Sequence, residues 1–128
     1  MNILIAEDDP VSALALRILL TKLGHTVQAA TNGVEAWQMI QERPVPIAIL
    51  DWMMPKMDGL ELCRRIKNSS GHAYTCVMML TAKQSREDRL TALHAGADVF
   101  LTKPLDRECL IARLQVAERI LHLEAALT

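Results

Sequence analysis

Six residues able to do chemistry stand within three positions of the end of a short apolar run. Glu7, Asp8 and Asp9 follow ILIA, Asp51 follows IAIL, Thr81 follows CVMML, and Lys103 follows ADVFLT. An ionised carboxylate is costly to bury unless a counter-charge, a metal or solvent compensates it. If these runs are strands ending on one edge, up to four acids, a hydroxyl and a lysine converge there. Converging carboxylates repel, and a hard divalent cation is the simplest remedy. Mg²⁺ takes oxygen ligands and keeps several waters, which leaves positions open for a phosphate. A lysine and a hydroxyl beside that cation are what phosphoryl oxygens require. The set therefore points to an aspartate that accepts a phosphoryl group as an acyl phosphate.

Taken singly, the same residues have plainer readings. Asp9, just before Pro10, is most simply a helix cap. Glu7 or Asp8 alone would serve as a solvated strand end, although two acids are unusual in a turn lacking Gly or Asn. Thr81 would do as a strand terminus, Lys103-Pro104 as an ordinary turn, and Met53-Met54 as packing residues. Joint placement is what favours chemistry.

Five apolar runs, 3–6, 27–30, 47–50, 76–80 and 97–101, predict the strands that do the placing. Several lack in/out alternation, as parallel strands covered on both faces do. Helix-like segments with start and stop signals lie between them. Asp9-Pro10 opens the first and Gly24 closes it. Asn32 opens the second, which stops before Pro44. Asp58 with Glu61 makes a capping-box-like start for the third, with Leu62 and Ile66 on one face. Ser85 opens the fourth, with Leu90 and Leu93 expected inward and Gly96 at its end, and Asp106 opens the fifth. Five βα units give an α/β sheet with right-handed crossovers, whose functional edge lies at the strand C-termini. Neither G-x-G-x-x-G nor G-x-x-x-x-G-K-[ST] occurs, so nucleotide folds with glycine-rich phosphate loops lose most of their weight.

The 128 residues read as one domain, 1–128, large enough to bury a core without disulfides or metals. Hydrophobic residues make up 51% and aromatics only 3%, so that core must be aliphatic and methionine-rich. A net charge of −1 gives no support to bulk electrostatic binding of nucleic acid or anionic membrane. Cys63, Cys76 and Cys109 show no C-x-x-C spacing and read as small buried hydrophobes in a reducing cytosol. The four histidines are not spaced as metal ligands. Acids at positions 7, 8 and 9 argue against a signal peptide, and no apolar run approaches the ~20 residues of a membrane span. A cytoplasmic location is expected.

Across essentially its whole length the chain resembles the receiver domain of two-component response regulators. IAEDDP resembles that family's acidic pair, LDWMMPKMDG its phosphoacceptor loop, MLTA its hydroxyl motif and GADVFLTKP its aromatic and lysine. The spacings of 30 residues from Asp51 to Thr81 and 22 from Thr81 to Lys103 agree with it. The resemblance implies a flavodoxin-like (βα)5 sheet of strand order 2-1-3-4-5 with helices on both faces. It implies Asp51 as phosphoacceptor and a Mg²⁺ ion held by Asp8, by Asp51, by the Met53 backbone carbonyl and, largely through water, by Glu7. Thr81 and Lys103 would contact the phosphoryl oxygens, Lys103-Pro104 would be cis, and Phe100 would be a switch aromatic coupled to Thr81. The donor would be a sensor histidine kinase or a phosphotransfer protein. The response would be a switch on the face of the fourth helix, fifth strand and fifth helix that controls an output domain or partner. Beyond Mg²⁺-assisted self-phosphorylation and slow self-dephosphorylation, no enzymatic turnover is expected. Met53 and Lys83 flank the site without an acid or amide to orient a hydrolytic water, which is why the dephosphorylation should be slow.

A phosphatase of the haloacid-dehalogenase type also uses a strand-end aspartate, but it needs a second acid where Met53 stands. A calcium loop starting at Asp51 fails because Met53 and Pro55 fall at oxygen-ligand positions. The remaining alternative is a stand-alone phosphate-relay or docking module without output of its own. The tail is informative here: 105–127 reads as an extended helix, with Val116, Ile120, Leu123 and Leu127 at a 4-3-4 spacing. Either it packs on its own domain, or it forms a homodimer seam and leads to an output domain beyond Thr128. It resembles tails that join receivers to cyclic-dinucleotide cyclases or serine phosphatases. No DNA-binding element is present, so neither nucleic acid nor membrane is an expected direct partner.

Overall fold

A computed structural model describes residues 1–127 except Ser70, His72, Lys83 and Gln84. The elements alternate strictly: β1 (Asn2–Ala6), α1 (Pro10–Lys22), β2 (Thr26–Ala30), α2 (Gly33–Glu42), β3 (Ile47–Asp51), α3 (Gly59–Asn68), β4 (Cys76–Thr81), α4 (Arg86–His94), β5 (Val99–Thr102) and α5 (Arg107–Ala126). The five strands pair in parallel in the order β2-β1-β3-β4-β5, as the resemblance implied.

Each helix begins on the capping residue anticipated for it. The side chains of Asp9, Asn32, Asp58, Ser85 and Asp106 accept the backbone N–H groups of Ser12, Glu35, Glu61, Asp88 and Glu108. Each such bond satisfies one amide that the helix itself leaves without a partner.

The central strands β1, β3 and β4 are almost entirely buried, and their side chains sort by parity onto two faces. Leu4, Ala48, Leu50, Val77 and Met79 pack beneath α2, α3 and α4. Ile3, Ile5, Ile47, Ile49, Met78 and Leu80 pack beneath α1 and α5, which contribute Leu16, Leu20, Leu110, Leu114 and Ala117. Each fully buried aliphatic side chain stabilises the fold by about 1.5–3 kcal/mol relative to exposure. Leu62 and Ile66 lie inward on α3, as expected.

Three sequence expectations fail. Leu90 and Leu93 are 41% and 53% exposed, and α4 docks instead through Ala92 and Ala95. Those alanines lie on a different side of the helix and are the residues that join the core. The fifth strand starts at Val99 rather than at 97. The Ala97 amide closes α4 by donating to Ala92 O (3.0 Å), helped by Gly96 at φ 103°. Asp98 is then occupied as an anchor: its carboxylate takes the Lys67 ammonium at 2.6 Å, the Val77 N–H at 2.9 Å and the Tyr74 hydroxyl. Cys63 and Cys76 are buried as predicted, but Cys109 is exposed in the first turns of α5. Among the described residues no helix is long and apolar enough to cross a membrane.

Candidate functional site

Parallel pairing fixes where the strands end. Ala6 is level with Leu50, Asp51 with Leu80, and Thr81 with Thr102. The residues that follow therefore emerge on one edge. Glu7 stays against the sheet because its N–H donates to Ala30 O at 3.1 Å, and Lys103 because its N–H donates to Thr81 O at 2.9 Å. Lys103-Pro104 is a cis peptide, as expected.

Asp51 does not point into water. It is 5% exposed, Glu7 is 3% and Thr81 is 1%. Lys103 Nζ lies 3.1 Å from Asp51 Oδ2 and 3.3 Å from Glu7 Oε1, so one ammonium bridges two buried carboxylates. Burial, reinforced by the hydrogen bond and charge of Asp51, raises the pKa of Glu7 to about 8, against the pull of Lys103. Burial alone would lower the pKa of Lys103, but Asp51 and then Glu7 outweigh it and raise it. Lys103 is therefore held as a cation.

Ligand oxygens of Glu7, Asp8 and Asp51 come within 4.8 Å of one another. These three carboxyl groups, two of them buried beside one lysine, form an all-oxygen set that suits a hard cation. Met53 sits two residues past Asp51 in the same loop and is 63% exposed. Phe100 is half-buried, packed at the edge of the core beneath α4, and lines a groove with Arg89, Cys109 and Arg113. Lys83 lies outside the described residues. An apolar cleft of about 580 Å³ adjoins the site between α1 and the loop after β5, with Glu7 and Lys103 among its lining residues.

Two glycines and a tryptophan belong to the site that sequence reasoning passed over. A Cβ on Gly59 would lie 2.2 Å from Asp51 O, and one on Gly33 would lie 2.0 Å from Met57 O. The starts of α2 and α3 thus clamp the loop that carries Asp51 at distances only glycine permits. Trp52, 7% exposed, continues the sheet by donating its N–H to Leu80 O at 3.0 Å, and its own carbonyl accepts from Gly59 N. The signal was in the chain: Asn32-Gly33 and Asp58-Gly59 both place glycine directly after a cap, where helix formation does not ask for one.

A family model for the response regulator receiver domain matches residues 3–115. The chain belongs to the response regulator receiver domain family. Over 124 residues it is 39% identical to the response regulator MprA of Mycobacterium ulcerans, covering 97% of this chain and 53% of that protein. It is 37% identical over 119 residues to the transcriptional regulatory protein TcrA of Mycobacterium tuberculosis, covering 93% of this chain and 46% of that one. This receiver domain thus spans about half the length of these relatives. Among solved structures it resembles the receiver domain of the Francisella response regulator 1452, with a TM-score of 0.83 and 31% identity, over 92% of this chain and 96% of that one.

Proposed function

We propose that this receiver domain takes a phosphoryl group onto Asp51 from the phosphohistidine of a sensor kinase or phosphotransfer protein, in a Mg²⁺-dependent reaction. The observation that carries the reading is the Asp51 carboxylate itself, 5% exposed, 3.1 Å from the Lys103 ammonium and grouped with Glu7 and Asp8. A carboxylate oxygen of Asp51 attacks phosphorus, a P–O bond forms as the donor's P–N bond breaks, and the imidazole leaves after taking up a proton. Bound Mg²⁺, held by Glu7, Asp8, Asp51 and the Met53 carbonyl, would offset charge on the phosphoryl oxygens. Lys103 then exchanges one of its two carboxylate partners for a phosphoryl oxygen, and the Thr81 hydroxyl donates to another.

Drawing Thr81 toward the phosphoryl group makes room for Phe100 to turn inward, and the face of α4, β5 and α5 changes with it. Relatives of about twice this length favour control of a further domain over a docking module without output. TcrA, by its name, regulates transcription. The test is mass spectrometry after incubation with Mg²⁺ and acetyl phosphate. One phosphoryl group should be added, and none after Asp51→Asn or with the metal chelated. Labelling that persists in Asp51→Asn would overturn the assignment.

A further inference from the structure

α5 carries two lines of apolar residues, and its own domain covers the second only in part. Leu110, Leu114 and Ala117 are buried against the sheet, with Leu121 at the margin. Val116, Ile120, Leu123 and Leu127 form the second line, turned by roughly 110° around a helix of 3.6 residues per turn. Val116 and Ile120 touch the edge of the core, whereas Leu123 is 64% exposed and Leu127 79%. The second line thus leaves the domain surface as the helix proceeds, and its own domain cannot cover it.

Its 4-3-4 spacing sets the heptad register. Val116 and Leu123 fall at d, Ile120 and Leu127 at a. The central pair, Ile120 at a with Leu123 at d, is the one that favours two parallel strands, while the outer pair, Val116 and Leu127, does not add to that preference. Position g then falls on Arg119 and position e of the next heptad on Glu124. In a parallel, in-register pair each g residue faces the e residue of the other helix's next heptad, so Arg119 meets Glu124 twice by symmetry. An antiparallel pair over the same four core positions would bring g against g and e against e, leaving Arg119 opposite Ala126 and Glu124 opposite Ala117, so only the parallel pair joins the two charges. Among the described residues neither Arg119 nor Glu124 forms a salt bridge within its own domain.

We propose that this face docks a second copy of the chain as a parallel, in-register two-helix coiled coil with reciprocal Arg119–Glu124 pairs. The proposal does not rest on phosphoryl transfer at Asp51. Four core positions per helix make a short seam, so association of the 128-residue chain is weak and concentration-dependent.

Cysteine crosslinking tests the register. In a Cys109→Ala background, which removes the exposed thiol, Leu123→Cys should form an interchain disulfide under mild oxidation. Only a parallel, in-register pair brings residue 123 against itself. Gln115→Cys, on neither line, should crosslink far more slowly. In sedimentation, Arg119→Glu should weaken self-association by about three- to tenfold, because each exposed pair becomes a repulsion. The double variant Arg119→Glu, Glu124→Arg should restore it. All these positions are exposed or half-buried, and unchanged thermal melts would show that the fold is intact. A chain that stays monomeric without a 123–123 crosslink, equal crosslinking at 115 and 123, or charge reversal without rescue each overturns the proposal.

Discussion

Adjacent carboxylates divide their duties at the end of β1. Asp9 turns back to cap α1, accepting the Ser12 N–H at 3.1 Å and its hydroxyl at 2.6 Å. Asp8 instead shares a 4.8 Å group with Glu7 and Asp51. The two substitutions should therefore separate. Asp9→Ala should lower the unfolding midpoint by a few degrees and leave Mg²⁺ binding intact, because a cap is lost and no ligand is. Asp8→Ala should abolish most Mg²⁺ affinity in calorimetry with little change in the metal-free melt, because an exposed strand-end acid contributes almost nothing to packing. A metal that depends on Asp9 and ignores Asp8 would reverse this division. The cap was legible because it is local: an acid before Pro10 has few other geometries. That Lys103 bridges Glu7 and Asp51 across 96 and 52 residues of chain was not legible, since it depends on the fold and on one rotamer.

At the scale of elements, close approach places the reactive strand end. α3 comes so near β3 that a methyl group on Gly59 would meet the Asp51 carbonyl at 2.2 Å. Backbone cannot yield as a flexible side chain does, so Gly59→Ala should cost about 1–3 kcal/mol or more. The strain falls on Asp51 itself, so acetyl phosphate labelling should slow even under conditions where the variant is folded. Gly24→Ala is the control: φ is +94°, but no atom lies within 4 Å of the added carbon. Urea unfolding should show a loss from backbone strain alone, with labelling unchanged. Equal labelling rates in the two variants would mean that Gly59 serves packing only. Capping residues and apolar runs made the first four strands and every helix start readable to within a residue or two. Two features were not readable. α4 docks through its alanines rather than its leucines, a choice that apolar spacing alone does not reveal. β5 started late because Asp98 was drawn off to Lys67, Tyr74 and Val77, partners distant in sequence.

For the molecule as a whole, parallel pairing turned a list of strand-end residues into a site, and for that reason the candidate site could be read before the fold was seen. Uneven burial of the three thiols has a practical result. Burial pushes Cys63 and Cys76 up to about 12 and keeps them from solvent, while Cys109 stands exposed on a groove lined by Phe100, Arg89 and Arg113. The unmodified protein thus has a single attachment point for a dye, beside the aromatic proposed to move. A hydrogen bond to Asp106 raises the pKa of Cys109 as well, so coupling to a maleimide should be slow near neutrality and quicken as the pH rises and the thiolate fraction grows. Mass spectrometry should count one dye per native chain and three in denaturant, matching the three cysteines. A second dye on the native protein would show the buried pair opening. With one dye in place, emission should shift when acetyl phosphate and Mg²⁺ are added, giving a real-time optical readout without an engineered cysteine.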